Sequence, residues 1–124
     1  MNQSAVRVLL VDDSSVFRDA AADVVANTPG FELVGTAASG EEALALVASI
    51  APDLVLMDHR MQGMSGLEAA RKIRDAHPDT SVTIITADGG SRIEKETFPV
   101  LSKRRLNPGT LLELWRRFEE PSGI

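Results

Sequence analysis

The stretch Leu54-Val55-Leu56-Met57-Asp58 places four apolar residues in a row directly before a carboxylate. A short apolar run of this kind, opened by Pro52-Asp53, is typical of a strand buried on both faces of a parallel sheet, although periodicity alone leaves a buried helix turn open. Asp58 then lies at the carboxyl end of the strand, the edge where open α/β sheets bind ligands. Taken alone, such an acid is more often a turn former or a helix cap. The rest of the chain therefore decides its role.

Length and composition limit the class of protein. The chain has 124 residues, of which 44% are hydrophobic and 25% charged, which predicts one soluble globular domain. It has no cysteine and only two histidines, which excludes disulfides and makes a zinc site unexpected. No apolar run is long enough to span a membrane and no signal peptide opens the chain, so we expect a cytoplasmic protein. A net charge of -5 and 4% aromatic residues argue against a general nucleic-acid binder.

Strand-like runs alternate with helical patterns along the whole chain. Strands are predicted over residues 6–11, 31–37, 54–58, 82–86 and 99–102. Helices are predicted to follow capping residues, namely Asp13 or Ser14, Ser39, Ser65 and Asn107. This alternation predicts right-handed βαβ units and a parallel sheet with helices on both faces.

Acids follow two of the predicted strands: Asp12 and Asp13 after the first, and Asp58 after the third. If these strands are neighbours, the carboxylates converge, and like charges about 4 Å apart repel by roughly 4 kcal/mol at an effective dielectric constant near 20. A divalent cation such as Mg²⁺ compensates this repulsion well, because it prefers carboxylate, phosphate and water oxygens. A hydroxyl after the fourth strand, Thr86, and a cation after the fifth, Lys103, complete the set that an aspartyl nucleophile requires.

These residues resemble the receiver domain of bacterial two-component response regulators over essentially the whole chain, and we expect the domain to cover residues 4–120. The matching motifs are Val-Asp-Asp-Ser at 11–14, Ser-Gly-Glu-Glu-Ala-Leu at 39–44, Pro-Asp-Leu-Val-Leu-Met-Asp at 52–58, Met61 with Gly66, Thr86-Ala87 and Lys103. The resemblance implies a flavodoxin-like, doubly wound sheet of five parallel strands in the order 2-1-3-4-5.

The resemblance also implies a role for each residue of the site. Asp58 would accept a phosphoryl group, Thr86 would donate a hydrogen bond to it, and Lys103 would pair with its charge. A magnesium site of oxygen ligands would be formed by the carboxylates of Asp12, Asp13 and Asp58 and the backbone carbonyl of Arg60. The resemblance thus implies that the chain is not an enzyme that acts on a separate substrate. It would be a phosphoacceptor that catalyses its own phosphorylation and dephosphorylation.

The partners that the resemblance implies are proteins. A sensor histidine kinase or a phosphotransfer protein would donate the phosphoryl group, and an unidentified protein would receive the signal. A homodimer is a further assembly that the family allows. The chain resembles receivers that precede DNA-binding domains, so it is either a stand-alone regulator or a part of one. By itself we expect it to bind neither DNA nor membranes, because its basic residues are scattered and no helix-turn-helix pattern follows the last strand.

The segment between Thr86 and Lys103 departs from the family pattern. Its 16 residues include Gly89-Gly90 and charged residues around a single apolar anchor, Ile93, before Phe98. Because a helix this short without tertiary packing is marginal in water, we predict a shortened or missing fourth helix, of at most about one and a half turns near residues 91–96. The aromatic residue that moves with the threonine in many receivers is replaced by Val100.

Two alternatives from other functional classes remain open at this stage. A phosphatase of the haloacid dehalogenase type would also use Asp58 as nucleophile with Mg²⁺, but it requires a second acid where Arg60 stands. A nucleotide-binding domain of the Rossmann type requires a glycine-rich turn after the first strand, and Asp-Asp-Ser-Ser stands there instead.

Overall fold

The structure, a computed structural model, describes residues 5–87 and 98–119. Within these ranges the strands are β1 Val6–Val11, β2 Phe31–Ala37, β3 Leu54–Asp58, β4 Ser81–Thr86 and β5 Val100–Ser102. The helices are α1 Ser15–Ala26, α2 Gly40–Ile50, α3 Gly66–Ala76 and α4 Pro108–Glu119, and a short 3-10 turn, Lys103–Arg105, follows β5. None of the helices in the described ranges has the length and apolar character needed to cross a membrane.

The five strands form one parallel sheet in the order β2-β1-β3-β4-β5. This confirms the flavodoxin-like, doubly wound fold. β3 is the central strand and all five of its residues are buried, as its apolar run predicts. The winding reverses between β1 and β3, where Val11 pairs with Met57, so the residues that follow these strands meet at the switch point where doubly wound sheets bind ligands.

Side-chain caps determine where the helices begin. Ser14, and not Asp13, caps α1 by accepting a hydrogen bond from Phe17 N at 3.2 Å. The equivalent caps of the other helices are Ser39 Oγ to Glu42 N at 3.1 Å, Ser65 Oγ to Glu68 N at 3.1 Å and Asn107 Oδ1 to Thr110 N at 2.9 Å. Each cap satisfies one of the amide groups that a helix N-terminus leaves without a partner.

Two apolar layers cover the faces of the sheet, because alternate residues of each strand point to opposite sides. On one side the buried side chains of α2 and α3, among them Val47 and Ile73, pack on Leu9 and Val55. On the other side α1 and α4 pack on Val8, Leu10, Leu54 and Leu56. Burying one large apolar side chain contributes about 1.5–3 kcal/mol, so these layers fix the strand ends that carry the polar residues.

The last two strands each begin one residue away from the predicted position. β4 begins at Ser81, and β5 begins at Val100 because Pro99 has no N–H with which to extend the ladder, although its carbonyl accepts from Ile84 N at 2.9 Å. The predicted shortening or absence of the fourth helix falls on residues 88–97, which lie outside the described residues. It stays a prediction.

Candidate functional site

Three carboxylates meet at the carboxyl edge of the sheet. Asp12 and Asp13 follow β1, and Asp58 ends β3. One carboxylate oxygen from each of the three lies within 4.8 Å of the others. Asp12 and Asp58 are only 1% and 5% exposed, whereas Asp13 is exposed. The fold therefore brings together the acids that the sequence places at separate strand ends.

Asp12 is held by contacts on both its backbone and its side chain. Its N–H donates to Ala37 O at 3.0 Å, which continues the pairing of β1 with β2. Its Oδ1 accepts from Ser14 N at 2.8 Å, and its carbonyl accepts from the guanidinium of Arg18 at 2.6 Å. These contacts turn Oδ2 toward the side chain of Lys103.

Lys103 lies against the acids and an aromatic ring. Its Nζ is 2.7 Å from Asp12 Oδ2 and 3.5 Å from Asp58 Oδ1. The same atom lies 4.5 Å from the centroid of the Phe17 ring. Desolvation lowers the pKa of Lys103, but its close contact with the Asp12 carboxylate and the charge of Asp58 outweigh this and raise the pKa above the ordinary value. Lys103 is therefore a permanent cation of the site.

Asp58 has a strongly perturbed carboxyl group. Burial, followed by the neighbouring charge of Asp12, raises the pKa of Asp58 to about 6, with a smaller contribution from Asp13. The ammonium of Lys103 opposes these effects and lowers the pKa, but does not cancel them. The ionised carboxylate is thus destabilised by its surroundings, which is a common property of groups that react.

Thr86 presents a buried hydroxyl to the same edge. The residue is 1% exposed, and its Oγ1 has no hydrogen-bond partner among residues 5–87 and 98–119. Leaving a buried hydroxyl without a partner costs about 1–3 kcal/mol. A ligand that offers an acceptor oxygen to Thr86 would remove this cost.

A small cleft connects these groups. Its volume is about 170 Å³, and its lining consists of Asp13, Asp58, His59, Arg60, Thr86, Ala87 and Lys103. Pockets for drug-sized ligands measure about 300–1,000 Å³. The cleft therefore suits a phosphoryl-sized group with a cation better than a nucleotide.

The loop after Asp58 is fastened by backbone contacts. His59 N donates to Ile85 O at 2.9 Å, and Gly66 N donates to His59 O at 3.0 Å. A Cβ at Gly66 would collide with the backbone carbonyl of Asp58. Only glycine lets α3 begin this close to the acidic residue, so Gly66 helps to set the position of Asp58 and of the Arg60 backbone.

The acidic cluster fits a hard divalent cation. Asp12, Asp13 and Asp58 offer three carboxylates from two neighbouring strand ends, and oxygen ligands of this type suit Mg²⁺. Asp13 is exposed, which leaves room for the water ligands that Mg²⁺ usually retains. The cluster could therefore hold a metal ion.

Comparison with known proteins identifies the family of the chain. The family model described as "Response regulator receiver domain" matches residues 8–101. The chain belongs to this receiver domain family. Membership places the receiver in two-component signal transduction.

Individual relatives are similar over most of the receiver. It is 42% identical to "Response regulator GacA" of Pseudomonas viridiflava over 94 residues, which are 76% of this chain and 42% of GacA. It is 43% identical over 90 residues to "Protein-glutamate methylesterase/protein-glutamine glutaminase 4" of Geobacter metallireducens, covering 73% of this chain and 25% of that protein. The receiver thus spans less than half the length of these relatives.

A solved structure shows the same architecture. The two-component response regulator of the LuxR family from Aurantimonas sp. SI85-9A1 superposes with a TM-score of 0.80 at 29% identity. The superposition covers 93% of the receiver and 85% of that chain.

Two residues of the site were missed at the level of sequence. The helical pattern indicates Phe17 only as an apolar residue of α1, and it assigns no role to Arg18. Both contact the site, Phe17 through Lys103 and Arg18 through the carbonyl of Asp12. Helical side chains lean toward the helix N-terminus. Because the first turn of α1 directly follows Asp12 and Asp13, the position of these two residues in the sequence could have indicated that they contact the site.

Proposed function

We propose that the receiver accepts a phosphoryl group on Asp58 from a sensor histidine kinase or a phosphotransfer protein, and that it passes the signal to a protein partner. The supporting observation is that the oxygens of Asp12, Asp13 and Asp58 meet beside the ammonium of Lys103. The functional unit would cover residues 4–120. Because the kinase draws its phosphate from ATP, we place the receiver in the cytoplasm.

The reaction begins with an attack by Asp58. One carboxylate oxygen forms a bond to the phosphorus of the donor, in line with the bond to the leaving nitrogen of a phosphohistidine, which breaks. The electron pair of the broken bond stays on the imidazole. The product is an acyl phosphate on Asp58, and attack by water at the same phosphorus returns the carboxylate and releases phosphate.

Lys103 and Thr86 bind the transferred group. Its oxygens carry between about one and a half and two negative charges, which the nearby Lys103 ammonium neutralises. The hydroxyl of Thr86, which has no partner among the described residues, donates a hydrogen bond to one of these oxygens. Both contacts depend on the phosphoryl group, so phosphorylation favours the conformation in which they form.

Mg²⁺ would be held by the carboxylates of Asp12, Asp13 and Asp58 and by the backbone carbonyl of Arg60. When bound, it neutralises charge on the transferring phosphoryl group. The metal ligands and Lys103 all belong to the receiver, which would therefore catalyse both its own phosphorylation and its own dephosphorylation.

Acetyl phosphate with Mg²⁺ tests the proposal without the cognate kinase. Intact-mass measurement should show a gain of one phosphoryl group, which Asp58→Asn abolishes. Asp19→Asn, an exposed acid on α1, is the matched control and should gain the group normally. An undiminished gain in Asp58→Asn would contradict the assignment. Continuous release of phosphate from many donors per chain would favour the phosphatase alternative.

A further inference from the structure

We propose that Phe17 is a positioning residue, which holds the ammonium of Lys103 by a cation–π contact in the orientation that phosphotransfer to Asp58 requires. The ring centroid lies 4.5 Å from Lys103 Nζ, inside the range of about 6 Å over which a ring face attracts a cation. The inference rests on the proposed function of Asp58, but the contact itself can be measured without it.

The ring of Phe17 is itself held in place. Phe17 lies in the first turn of α1, and its N–H donates to the capping oxygen of Ser14 at 3.2 Å. Its side chain packs at the edge of the apolar layer between α1, α4 and the sheet. The ring therefore has a fixed position relative to the strand end that carries Asp12.

The side chain of Lys103, by contrast, is intrinsically flexible. Its ammonium terminates a chain of four methylenes and acts as a point charge, so it has no preferred hydrogen-bond plane of its own. Asp12 Oδ2 at 2.7 Å and Asp58 Oδ1 at 3.5 Å attract it from one side. The ring of Phe17 adds attraction from a fixed helix, which leaves the ammonium fewer orientations.

This arrangement matters when the phosphoryl group arrives. The ammonium must then divide its contacts between Asp12 and the oxygens on Asp58. The face of an aromatic ring attracts a cation without requiring one fixed direction. The ammonium of Lys103 can therefore turn toward the phosphoryl group while it stays over the ring of Phe17. Losing the ring should lower the rate of phosphorylation, although Phe17 touches neither donor nor phosphorus.

A first experiment measures the contact in the unphosphorylated protein. Protons on the ε-methylene of Lys103 should show an upfield ring-current shift in the NMR spectrum. Phe17→Leu should abolish this shift, and Phe17→Tyr should preserve it. The matched control is Phe31→Leu, because Phe31 lies in the same apolar layer but contacts Trp115 instead. Absence of the shift in the wild-type protein would overturn the inference.

A second experiment measures the rate constant of phosphorylation by acetyl phosphate with Mg²⁺. Phe17→Leu should lower it about three- to tenfold, while Phe17→Tyr should stay within about twofold of wild type. Site-specific replacement of Phe17 by phenylalanines with increasing ring fluorination keeps the shape and weakens the attraction for cations, so the rate should fall step by step. Phe31→Leu should react as wild type does.

The outcomes separate this inference from the proposed function. If wild type gains no phosphoryl group, the proposed function fails and the rate role of Phe17 fails with it, whatever the ring-current shift shows. If wild type reacts and the fluorinated series has one constant rate, Phe17 merely fills space and the inference is overturned. A fall that follows fluorination, with normal rates in Phe17→Tyr, supports it even if Phe17→Leu folds poorly.

Discussion

The ammonium of Lys103 lies 2.7 Å from Oδ2 of Asp12, although two other strands separate β5 from β1 in the sheet. Lys103 thus reaches over the ends of β4 and β3 to an acid that is almost completely buried. Exposed ion pairs contribute little to stability, whereas removing one partner from a desolvated pair leaves an uncompensated charge. The ion pair should therefore stabilise the fold, and it also holds a cation beside Asp58.

Replacing Lys103 by methionine should destabilise the protein. The change keeps most of the unbranched side chain but leaves Asp12 and Asp58 without a neighbouring cation, so the free energy of unfolding at pH 7 should fall by about 1–3 kcal/mol. Urea denaturation measures this. Lys72→Met is the control, because Lys72 is exposed on α3, and its effect should stay within about 0.5 kcal/mol. Equal effects of the two changes would refute a structural role for the pair.

Asp58→Asn should stabilise the protein in the presence of a chelator at neutral pH. The pKa of Asp58 is raised from 3.8 to about 6 in the folded protein. The folded state therefore binds more protons than the unfolded state between these values, and stability falls as the pH rises through this window. Asparagine removes the penalty, which we expect to be worth about 1–3 kcal/mol above pH 6.

The same comparison at low pH provides the control. At pH 4, Asp58 is protonated in the folded state and about half protonated in the unfolded state, so most of the advantage of Asp58→Asn should be absent there. Urea denaturation at pH 4 and at pH 7.5 distinguishes the two regimes. An advantage of equal size at both pH values would show that the pKa of Asp58 is not its cause.

Mg²⁺ should raise the melting temperature of the wild-type protein. A cation that binds only the folded state contributes about 2.7 kcal/mol at one hundred times its dissociation constant. Asp13→Ala should remove most of the effect without destabilising the metal-free protein, because Asp13 is exposed. Asp19→Ala, which changes an acid of α1 outside the cluster, should keep the full effect. A normal response of Asp13→Ala would exclude this residue as a ligand.

Gly66→Ala should be strongly destabilising. The added Cβ would collide with the carbonyl of Asp58, which is backbone and cannot turn aside. We expect a loss of more than about 2 kcal/mol in thermal or urea denaturation, together with slower phosphorylation. Gly109→Ala is the control, since its Cβ would approach only a side-chain oxygen of Asn107 at 3.3 Å. A stable, fully active Gly66→Ala variant would argue against this account of the loop.

The chain should not bind DNA at physiological salt. Its net charge is -5, and between residues 98 and 119 the sheet is followed only by a 3-10 turn and α4, with no helix pair of the helix-turn-helix type. A gel shift with mixed-sequence duplexes measures this. Weak binding at low salt should disappear as salt is added, because it depends on counterion release. A sequence-specific shift that persists would contradict the prediction.

The elements of the fold are encoded locally, and the sequence predicts them well. The apolar run Leu54–Asp58 is a buried strand, and α2 and α3 begin at the serine caps that precede Gly40 and Gly66. Apolar periodicity and capping act over a few residues, so they can be recognised from the chain alone. The strand order 2-1-3-4-5 came from the family resemblance, because periodicity does not specify which strands are neighbours.

The sequence by itself determined which chemical groups stand at the strand ends: acids at 12, 13 and 58, a hydroxyl at 86 and an ammonium at 103. Only the tertiary structure decided that Lys103 pairs more closely with Asp12 than with Asp58, and that the ring of Phe17 lies beside its ammonium. These contacts join residues that are far apart along the chain. Their distances depend on how α1 packs on the sheet and on where β5 pairs at its edge, which no local pattern encodes.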